Sequence, residues 1–283
     1  LGLGREDAKT VLTPGTHEAD KIAATQSEEE NPLLTKQEES EFRGVAGVEQ
    51  FLAGDRLDIK FPVKELLRDA GGPRASSWQK AKRVGRYLKR VPRYATVYRW
   101  QKPTKLLTVG TDASHAACPR TRKSTTGVVT RKGHHLLSTL SATQGVVRLS
   151  SGEAEYAAAV RGVSEGLYLR NVLQFFGEES ELELESDSAA ALGAARRLGA
   201  GKKLRHVETE MFFLQGLVRS GVVRLKKVPG KDHLPDIATK HLSWPNMCRI
   251  LKKIDVRLMT ASGAPIQMAT VEGPAGWRRD LTE

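Results

Sequence analysis

The feature that most constrains the fold is an ordered series of strand-like and helix-like segments between residues 105 and 242. KLLTVGTDAS (105–114) is apolar and rich in residues that favour strands. TTGVVTRKG (125–133) and HHLLSTLS (134–141) predict a hairpin that turns at Gly133. We therefore expect three consecutive strands at the start of this region.

The second half of the region alternates strands with helices. A helix is predicted after Ser150, and LELESDS (182–188) has the period-two pattern of a strand. Further along come a helix at about 205–220, the strand VVRLKKVP (222–229) and the short helix LPDIATKHL (234–242). The order is thus β, β, β, α, β, α, α, β, α. Strands joined by crossover helices lie parallel, so this order predicts a mixed sheet with helices packed on it.

The flanking segments have different patterns. Residues 1–41 are polar, include the acidic run SEEEN, and are interpreted as mostly loop. EFRGVAGVEQFLAGDRLDIKF (41–61) predicts a helix, a polar turn and an apolar segment, and SSWQKAKRVGRYLK (76–89) predicts an amphipathic helix with a basic face. PRYATVYRWQKP (92–103) is interpreted as a linker. After Trp244, NMCRILKKI predicts one more short helix, and the last residues show no usable pattern.

Charge and cysteine content limit the possible partners. The chain has 45 Lys and Arg against 33 Asp and Glu, a net charge of +12, which favours a polyanionic partner. Cys118 and Cys248 are far apart and have no CxxC spacing, so neither a disulfide framework nor a zinc finger is indicated, and an intracellular location, cytoplasmic or nuclear, fits. No signal peptide and no apolar run of ~20 residues is present, so no membrane is expected. The start at Leu1 suggests a piece of a longer polyprotein.

Four acids recur where a predicted strand ends or a helix begins: Asp112, Glu155, Asp187 and Asp236. Each alone has an ordinary role in capping a turn or complementing a helix dipole. Together they are less ordinary, because the first and fourth strands would be parallel neighbours that bring Asp112 and Asp187 side by side. Crowded carboxylates repel unless cations are bound. Oxygen ligands without His or Cys select Mg²⁺ or Mn²⁺, and two such ions could hold a phosphodiester.

The helix start LSSGEAEYAAAV (149–160) contains two acids with different expected roles. Positions two apart on a helix differ by about 200°, so Glu153 and Glu155 cannot both face one cleft. Ser150 and Glu153 fit the S-x-x-E capping box. Glu155 is therefore left as the candidate ligand.

These motifs resemble the ribonuclease H domain of copia-type retrotransposons. Residues 112–127, D-A-S-H-A-A-C-P-R-T-R-K-S-T-T-G, keep the family's opening Asp-Ala and its T-R-[RK]-S-T-[ST]-G element. The helix signature S-S-x-E-A-E-Y is present at 150–156, and the third aspartate lies in S-D-S-A-A-A-L at 186–192. L-R-H-V-E at 204–208 and V-P-G-K-D-H-L-P-D-I-A-T-K at 228–240 match the remaining elements.

The resemblance continues upstream and implies a domain organisation. E-F-R-G-V-A-G, L-D-I-K-F-P-V-K and W-Q-K-A-K-R-V-G-R-Y-L-K are similar to the segment that joins the polymerase palm to ribonuclease H in the same polyproteins. We expect a largely irregular segment at 1–40, a helical connection segment at 41–102, a ribonuclease H-like domain at 103–243 and a basic tail at 244–283. No Y-x-D-D motif is found, so the palm is expected outside this chain, as a partner from the same polyprotein.

The family implies an α/β ribonuclease H-like fold, with a mixed five-stranded sheet flanked by helices and preceded by a smaller, mostly helical segment. It implies hydrolysis of the RNA strand of an RNA–DNA hybrid, with two Mg²⁺ ions, or Mn²⁺, held by Asp112, Glu155, Asp187 and Asp236. It also implies substrate contacts at Ser114, Arg122, Lys123, Gln144, Ser188, Arg205, His206 and Lys231. His206 has two open roles, helix capping and substrate contact.

Departures from the family pattern keep other functions open. Thr139, Ala142 and Thr143 replace a Trp and Lys pair, and Ser188 replaces an Asn. A decayed or co-opted copy that only binds nucleic acid is therefore a second hypothesis. Integrases and transposases use acids on a similar sheet, but typically three with a late Glu. A Ser/His/Asp hydrolase is disfavoured because no G-x-S-x-G is found. Lys231 lies near the position of a mobile loop histidine in cellular enzymes, with His233 two residues further on.

Overall fold

The computed structural model describes residues 9–18, 25–199 and 208–266. Arg205 and His206 lie outside these ranges, so the roles expected of them stay predictions.

Cys118 and Cys248 are both buried free thiols. Among the helices of the described ranges, none has the combined length and apolar character that a bilayer crossing demands.

The described ranges form helices and strands in the following chain order. They are α1 (Lys36–Ala53), α2 (Leu57–Leu67), α3 (Ala75–Arg90), β1 (Arg93–Thr96), β2 (Leu106–Ser114), β3 (Thr125–Lys132), β4 (His135–Thr143), α4 (Ser151–Phe175), β5 (Glu181–Ser186), α5 (Ala189–Arg196), α6 (Glu208–Arg219), β6 (Val223–Lys227), α7 (Trp244–Lys253) and β7 (Val256–Met259). Two 3₁₀ turns, Gly230–Asp232 and Leu234–Ala238, lie between β6 and α7.

The main sheet has the strand order β4-β3-β2-β5-β6. β2, β3 and β4 pair antiparallel, whereas β5 is parallel to β2 and β6 is parallel to β5. The predicted mixed sheet is therefore confirmed, including the parallel contact between the first and fourth strands of the region. The hairpin turns at Gly133, whose φ of 62° lies in the left-handed region that glycine adopts without strain.

One face of the sheet is covered by α4, and glycines allow the helix to approach closely. A side chain at Gly162 would collide with Thr111, and a Cβ at Gly166 would lie 2.7 Å from Leu182 Cδ1. Tyr156 and Val163 of the helix are fully buried in the same apolar cluster as these strands. This packing fixes the first turn of α4 beside the end of β2.

The other face is covered by α2 and the turn Leu234–Ala238, and α1, α3 and α7 pack against these two elements. One buried cluster contains Leu57 and Val84 of the N-terminal helices, Val129 and Leu136 of the sheet and Leu251 of α7. The N-terminal helices and the sheet thus share a core. The boundary expected near residue 102 stays a prediction.

A buried polar network holds α2 and α3 together beneath this face. The Arg56 guanidinium donates to both oxygens of Asp58, at 3.2 and 2.6 Å, and to the carbonyl of Val91 at 2.8 Å. Tyr87 also donates to Asp58 Oδ2, at 2.6 Å. Because each charged group in this network has a partner, its burial is tolerated.

Three sequence expectations differ from the observed elements. The linker prediction is wrong for Arg93–Thr96, because this segment forms β1, which pairs antiparallel with β7. The first helix begins at Lys36 rather than near residue 41, because Thr35 and Glu38 form a capping box. The segment after His233 is a 3₁₀ turn, Leu234–Ala238, rather than an α-helix.

Candidate active site

Two parallel strands bring the first and third acids together. β2 and β5 pair in register from Leu106 opposite Glu181 to Gly110 opposite Glu185, and Asp112 and Asp187 have the same offset. Asp112 is buried near the end of β2, and Asp187 directly follows β5. The expectation that these carboxylates lie side by side is met by the geometry.

The fourth acid, Asp236, lies on the turn Leu234–Ala238, which packs against the sheet at Gly127. Gly127 pairs directly with Asp112, and a Cβ on Gly127 would lie 2.9 Å from the carbonyl oxygen of Pro235. The absence of a side chain therefore lets the turn approach. Thr239, just after the turn, donates its hydroxyl to Asp112 Oδ2. Asp236 is thereby held beside Asp112.

The two glutamates of α4 divide their roles as predicted for the helix start. Ser150 is the N-cap, and its Oγ accepts from the backbone N–H of Glu153 at 3.2 Å. The Glu153 carboxylate accepts from the N–H of Leu149 at 3.0 Å, one residue earlier than the capping box expected. Glu155 lies on another face of the helix and receives a hydrogen bond from the backbone of Ala113, beside Asp112.

The electrostatics show that these carboxylates are crowded. Burial, together with the nearby charges of Asp112 and Asp187, raises the pKa of Glu155 to about 8. Burial is also the largest cause of the raised pKa of Asp236, where the hydrogen bond from Lys240 opposes it. Lys240 Nζ lies 2.9 Å from Asp236 Oδ1. One ammonium group does not balance four acids, so the cluster is short of positive charge.

The donor set fits a divalent cation. Its four carboxylates are the hard oxygen ligands that Mg²⁺ and Mn²⁺ prefer. Within the described ranges, Glu155 Oε2 is buried without a hydrogen-bond partner. Ligand atoms of Asp112, Asp187 and His233 lie within 4.8 Å of one another, so these residues could together hold a metal ion.

The raised pKa of Glu155 predicts a pH-dependent cost in the metal-free protein. The carboxyl ionises near its usual pKa of 4.5 when unfolded and near 8 when folded, so folding binds a proton between these values. Stability should therefore fall as pH rises from about 4.5 to about 8. We expect Glu155→Gln to raise Tm by about 5 °C at pH 8 in EDTA and to change it little at pH 4.5. At this chain length, 5 °C corresponds to roughly 2 kcal/mol in the free energy of unfolding. Thermal unfolding at the two pH values measures this.

A matched change on the same helix serves as the control for that experiment. Glu165→Gln removes a carboxylate that pairs with Arg161 at 2.7 Å, where the pair is partly exposed. It should not raise Tm at either pH, since exposed pairs contribute little. An equal gain for Glu155→Gln at both pH values would contradict the assignment of the cost to ionisation.

His233 is a site residue that sequence reasoning did not select. Its side chain is 1% exposed, and its Nδ1 lies 3.8 Å from Asp112 Oδ1, 3.6 Å from Asp187 Oδ1 and 3.8 Å from Asp236 Oδ1. The local signal was the spacing H-x-x-D, which brings His233 and Asp236 together across one turn. Lys231, the predicted substrate contact in this loop, is exposed.

Two expected substrate contacts have structural roles in the described ranges. Gln144 is buried and donates from Nε2 to Thr126 Oγ1 at 3.0 Å and to the carbonyl of Ala154 at 2.9 Å, which ties the hairpin to α4. Ser188 is the N-cap of α5, and its Oγ accepts from the N–H of Ala191 at 3.2 Å. Their contacts with substrate stay predictions.

The other described candidates lie around the rim of the acidic cluster or on nearby loops. Ser114 is the last residue of β2, two residues after Asp112. Arg122 is exposed in the loop before β3 with a φ of 54°, and Lys123 beside it is half-buried. No contact in the structure assigns these side chains to substrate, and their roles stay predictions.

The strand order and directions, the crossover helices and the position of the four acids define a ribonuclease H-like fold. No family model matches the chain. The chain is similar to the retrovirus-related Pol polyproteins from transposons RE2 and RE1 of Arabidopsis thaliana, each 30% identical over 220 residues, or 77% of this chain. A third similar sequence, the Pol polyprotein from transposon TNT 1-94 of Nicotiana tabacum, is 26% identical over 186 residues.

The chain is therefore a relative of retrotransposon Pol polyproteins, as its motifs predicted. It spans about 15% of the length of the Arabidopsis polyproteins. Among solved structures, it is similar to LC11-RNase H1, isolated from compost, with 16% identity, a TM-score of 0.38 and coverage of 48% of this chain and 94% of that one. RNase H1 from Halobacterium salinarum gives 14% identity, a TM-score of 0.31 and coverage of 46% and 90%.

Proposed function

We propose that this chain is a ribonuclease H-type endonuclease that hydrolyses the RNA strand of RNA–DNA hybrids as part of a retrotransposon reverse transcriptase polyprotein. The observation that carries the proposal is that Asp112, Asp187 and Asp236 converge around His233. Glu155 lies near them, and the charges of Asp112 and Asp187 raise its pKa. Acids from four separate segments meet at one edge of the sheet. Residues that only stabilise the fold do not need to converge in this way, and the convergence of four carboxylates costs electrostatic energy.

The four carboxylates would hold two Mg²⁺ ions, with Mn²⁺ as an alternative. When bound, such a pair supplies an activated water and stabilises the leaving oxygen of a phosphodiester. The chain's own task is to keep the ligands in place. Thr239 fixes one oxygen of Asp112, and the backbone of Ala113 fixes Glu155. Lys240 pairs with Asp236 and adds positive charge at the edge where a phosphate would approach.

Binding of the rest of the duplex is assigned to the basic surface of the chain. Bases recur along α3 and are partly exposed: Lys80, Lys82, Arg83, Arg86, Lys89 and Arg90. Together with a net charge of +12, this face is suited to duplex phosphates. Discrimination of a hybrid also requires contacts with 2′-hydroxyl groups on one strand. The polymerase palm, whose Y-x-D-D motif is not found in this sequence, would be supplied by the same polyprotein.

The deciding experiment measures how the full chain cleaves different substrates, each labelled on one strand. We expect Mg²⁺-dependent cleavage of the RNA strand of an RNA–DNA hybrid, none in EDTA, and no cleavage of single-stranded RNA or duplex DNA of the same sequence. Binding of the hybrid without metal-dependent cleavage, at protein in excess over substrate, would instead support a chain that only binds nucleic acid. Cleavage of duplex DNA with the hybrid intact would support transposase-type chemistry.

A further inference from the structure

His233 is the buried polar side chain that the acidic cluster surrounds. At 3.6 to 3.8 Å, its Nδ1 is too far from the three aspartates for ordinary hydrogen bonds. Neither Nδ1 nor Nε2 has a hydrogen-bond partner among the described residues. A buried polar nitrogen without a partner is costly, so the arrangement points to a group that is absent from the protein itself.

The distances fit a shared metal ion. Two ligand atoms that each lie about 2.1 Å from one ion are at most about 4.2 Å from each other, so about 4.2 Å is the upper end of the range. The three separations from Nδ1 fall within that range. A neutral imidazole with its proton on Nε2 presents a lone pair at Nδ1, which is how histidine binds metals.

The backbone holds the imidazole at this position. His233 lies between the two 3₁₀ turns, and its N–H donates to the carbonyl of Gly230 at 3.1 Å. The same loop approaches the third acid closely, since a Cβ on Gly230 would lie 3.1 Å from Asp187 Oδ2. The ring is therefore placed by the fold beside both Asp112 and Asp187.

We propose that His233 is a nitrogen ligand of one of the bound metal ions, shared with Asp112 and Asp187, and that it favours Mn²⁺ over Mg²⁺ at that position. The proposal rests on the metal site of the proposed function and adds a ligand to its four acids. Mg²⁺ prefers oxygen donors, whereas first-row transition ions also accept nitrogen donors, with an affinity that is lowest for Mn²⁺ and rises towards Cu²⁺. An all-carboxylate site lacks this bias.

The test is pulsed EPR of Mn²⁺ bound to the full chain. We expect electron spin echo modulation from one directly coordinated ¹⁴N in the native protein, replaced by the ¹⁵N pattern when histidine is labelled with ¹⁵N. The His233→Gln variant keeps an oxygen donor and should lose the nitrogen modulation. Its Mn²⁺ affinity should fall about tenfold or more, with a much smaller change for Mg²⁺.

Two matched substitutions make the result specific. His134→Gln changes an exposed residue of the hairpin, and His135→Gln changes its neighbour, whose Nε2 lies 2.7 Å from the carbonyl oxygen of Arg99. Both should keep the nitrogen modulation. Mn²⁺ bound without nitrogen modulation in the native chain overturns the proposal even if His233→Gln does not fold, and so does modulation that survives in His233→Gln.

This outcome is separable from that of the nuclease proposal. A chain that binds Mn²⁺ through nitrogen but does not cut the hybrid would contradict the proposed activity and leave the ligand assignment standing. A chain that cuts the hybrid with Mn²⁺ held by oxygen alone would contradict the role of His233 and leave the activity standing.

Discussion

Asp187→Asn is expected to slow Mg²⁺-dependent cleavage of the hybrid at least a thousandfold, which is a loss of roughly 4 kcal/mol of transition-state stabilisation. The substitution replaces a charged metal ligand by a neutral group of nearly the same shape. The Asp187 side chain is 32% exposed and directly follows β5, so the fold should not depend on its charge. Single-turnover rates on a labelled hybrid, with protein in excess, measure the effect.

Asp232→Asn is the matched control for that measurement. Asp232 lies in the neighbouring turn Gly230–Asp232 and pairs with Lys253 at the surface. It makes the same chemical change without touching the acidic cluster, so its cleavage rate should stay within about twofold of the native rate, as expected for an exposed ion pair. Equal rates for Asp187→Asn and the native chain would remove Asp187 from the metal site.

Gly127→Ala is expected to destabilise the protein by about 3 kcal/mol and to reduce cleavage at the same time. The added methyl group would lie 2.6 Å from Thr239 Cγ2 and 2.9 Å from the carbonyl oxygen of Pro235. Because the second contact is with backbone, the turn Leu234–Ala238 must move as a whole. That movement would displace Asp236 and the Thr239 hydroxyl from Asp112. Chemical denaturation and the cleavage assay measure the two effects.

Gly193→Ala tests whether the effect depends on that contact rather than on the loss of a glycine. A Cβ at Gly193, in α5, meets no atom within 4 Å. Alanine is favoured over glycine in a helix by about 1 kcal/mol, so this variant should be slightly more stable and fully active. Full activity and stability in Gly127→Ala would show that the turn does not pack over β3 as described.

The parts of the structure that were predictable from sequence are those encoded by local periodicity. Strands such as Leu106–Ser114 and Glu181–Ser186 carry the pattern of one or two buried faces, and the chain direction through a crossover helix fixes their parallel pairing. Ser150 marks the start of α4 by local chemistry alone. Since both signals are local, the neighbouring positions of Asp112 and Asp187 follow without knowledge of any long-range contact.

The parts that were missed depend on contacts between distant residues. The strand Arg93–Thr96 is only four residues long, and its partner Val256–Met259 lies near the other end of the described chain. The spacing H-x-x-D brings His233 near Asp236, but no local feature of the sequence indicates that His233 is buried. Only the packing of Leu234–Ala238 over Gly127 brings it under three carboxylates.

The shared cluster of Leu57, Val84, Val129, Leu136 and Leu251 has a consequence for truncated forms of the chain. A version that begins at the first strand of the main sheet would contain all four acids and yet lose Leu57 and Val84, which cover part of this cluster. Bare apolar surface of this kind invites self-association. The smallest autonomous unit should therefore be set by the outer helices that shield the sheet, and it is longer than the stretch that carries the chemistry.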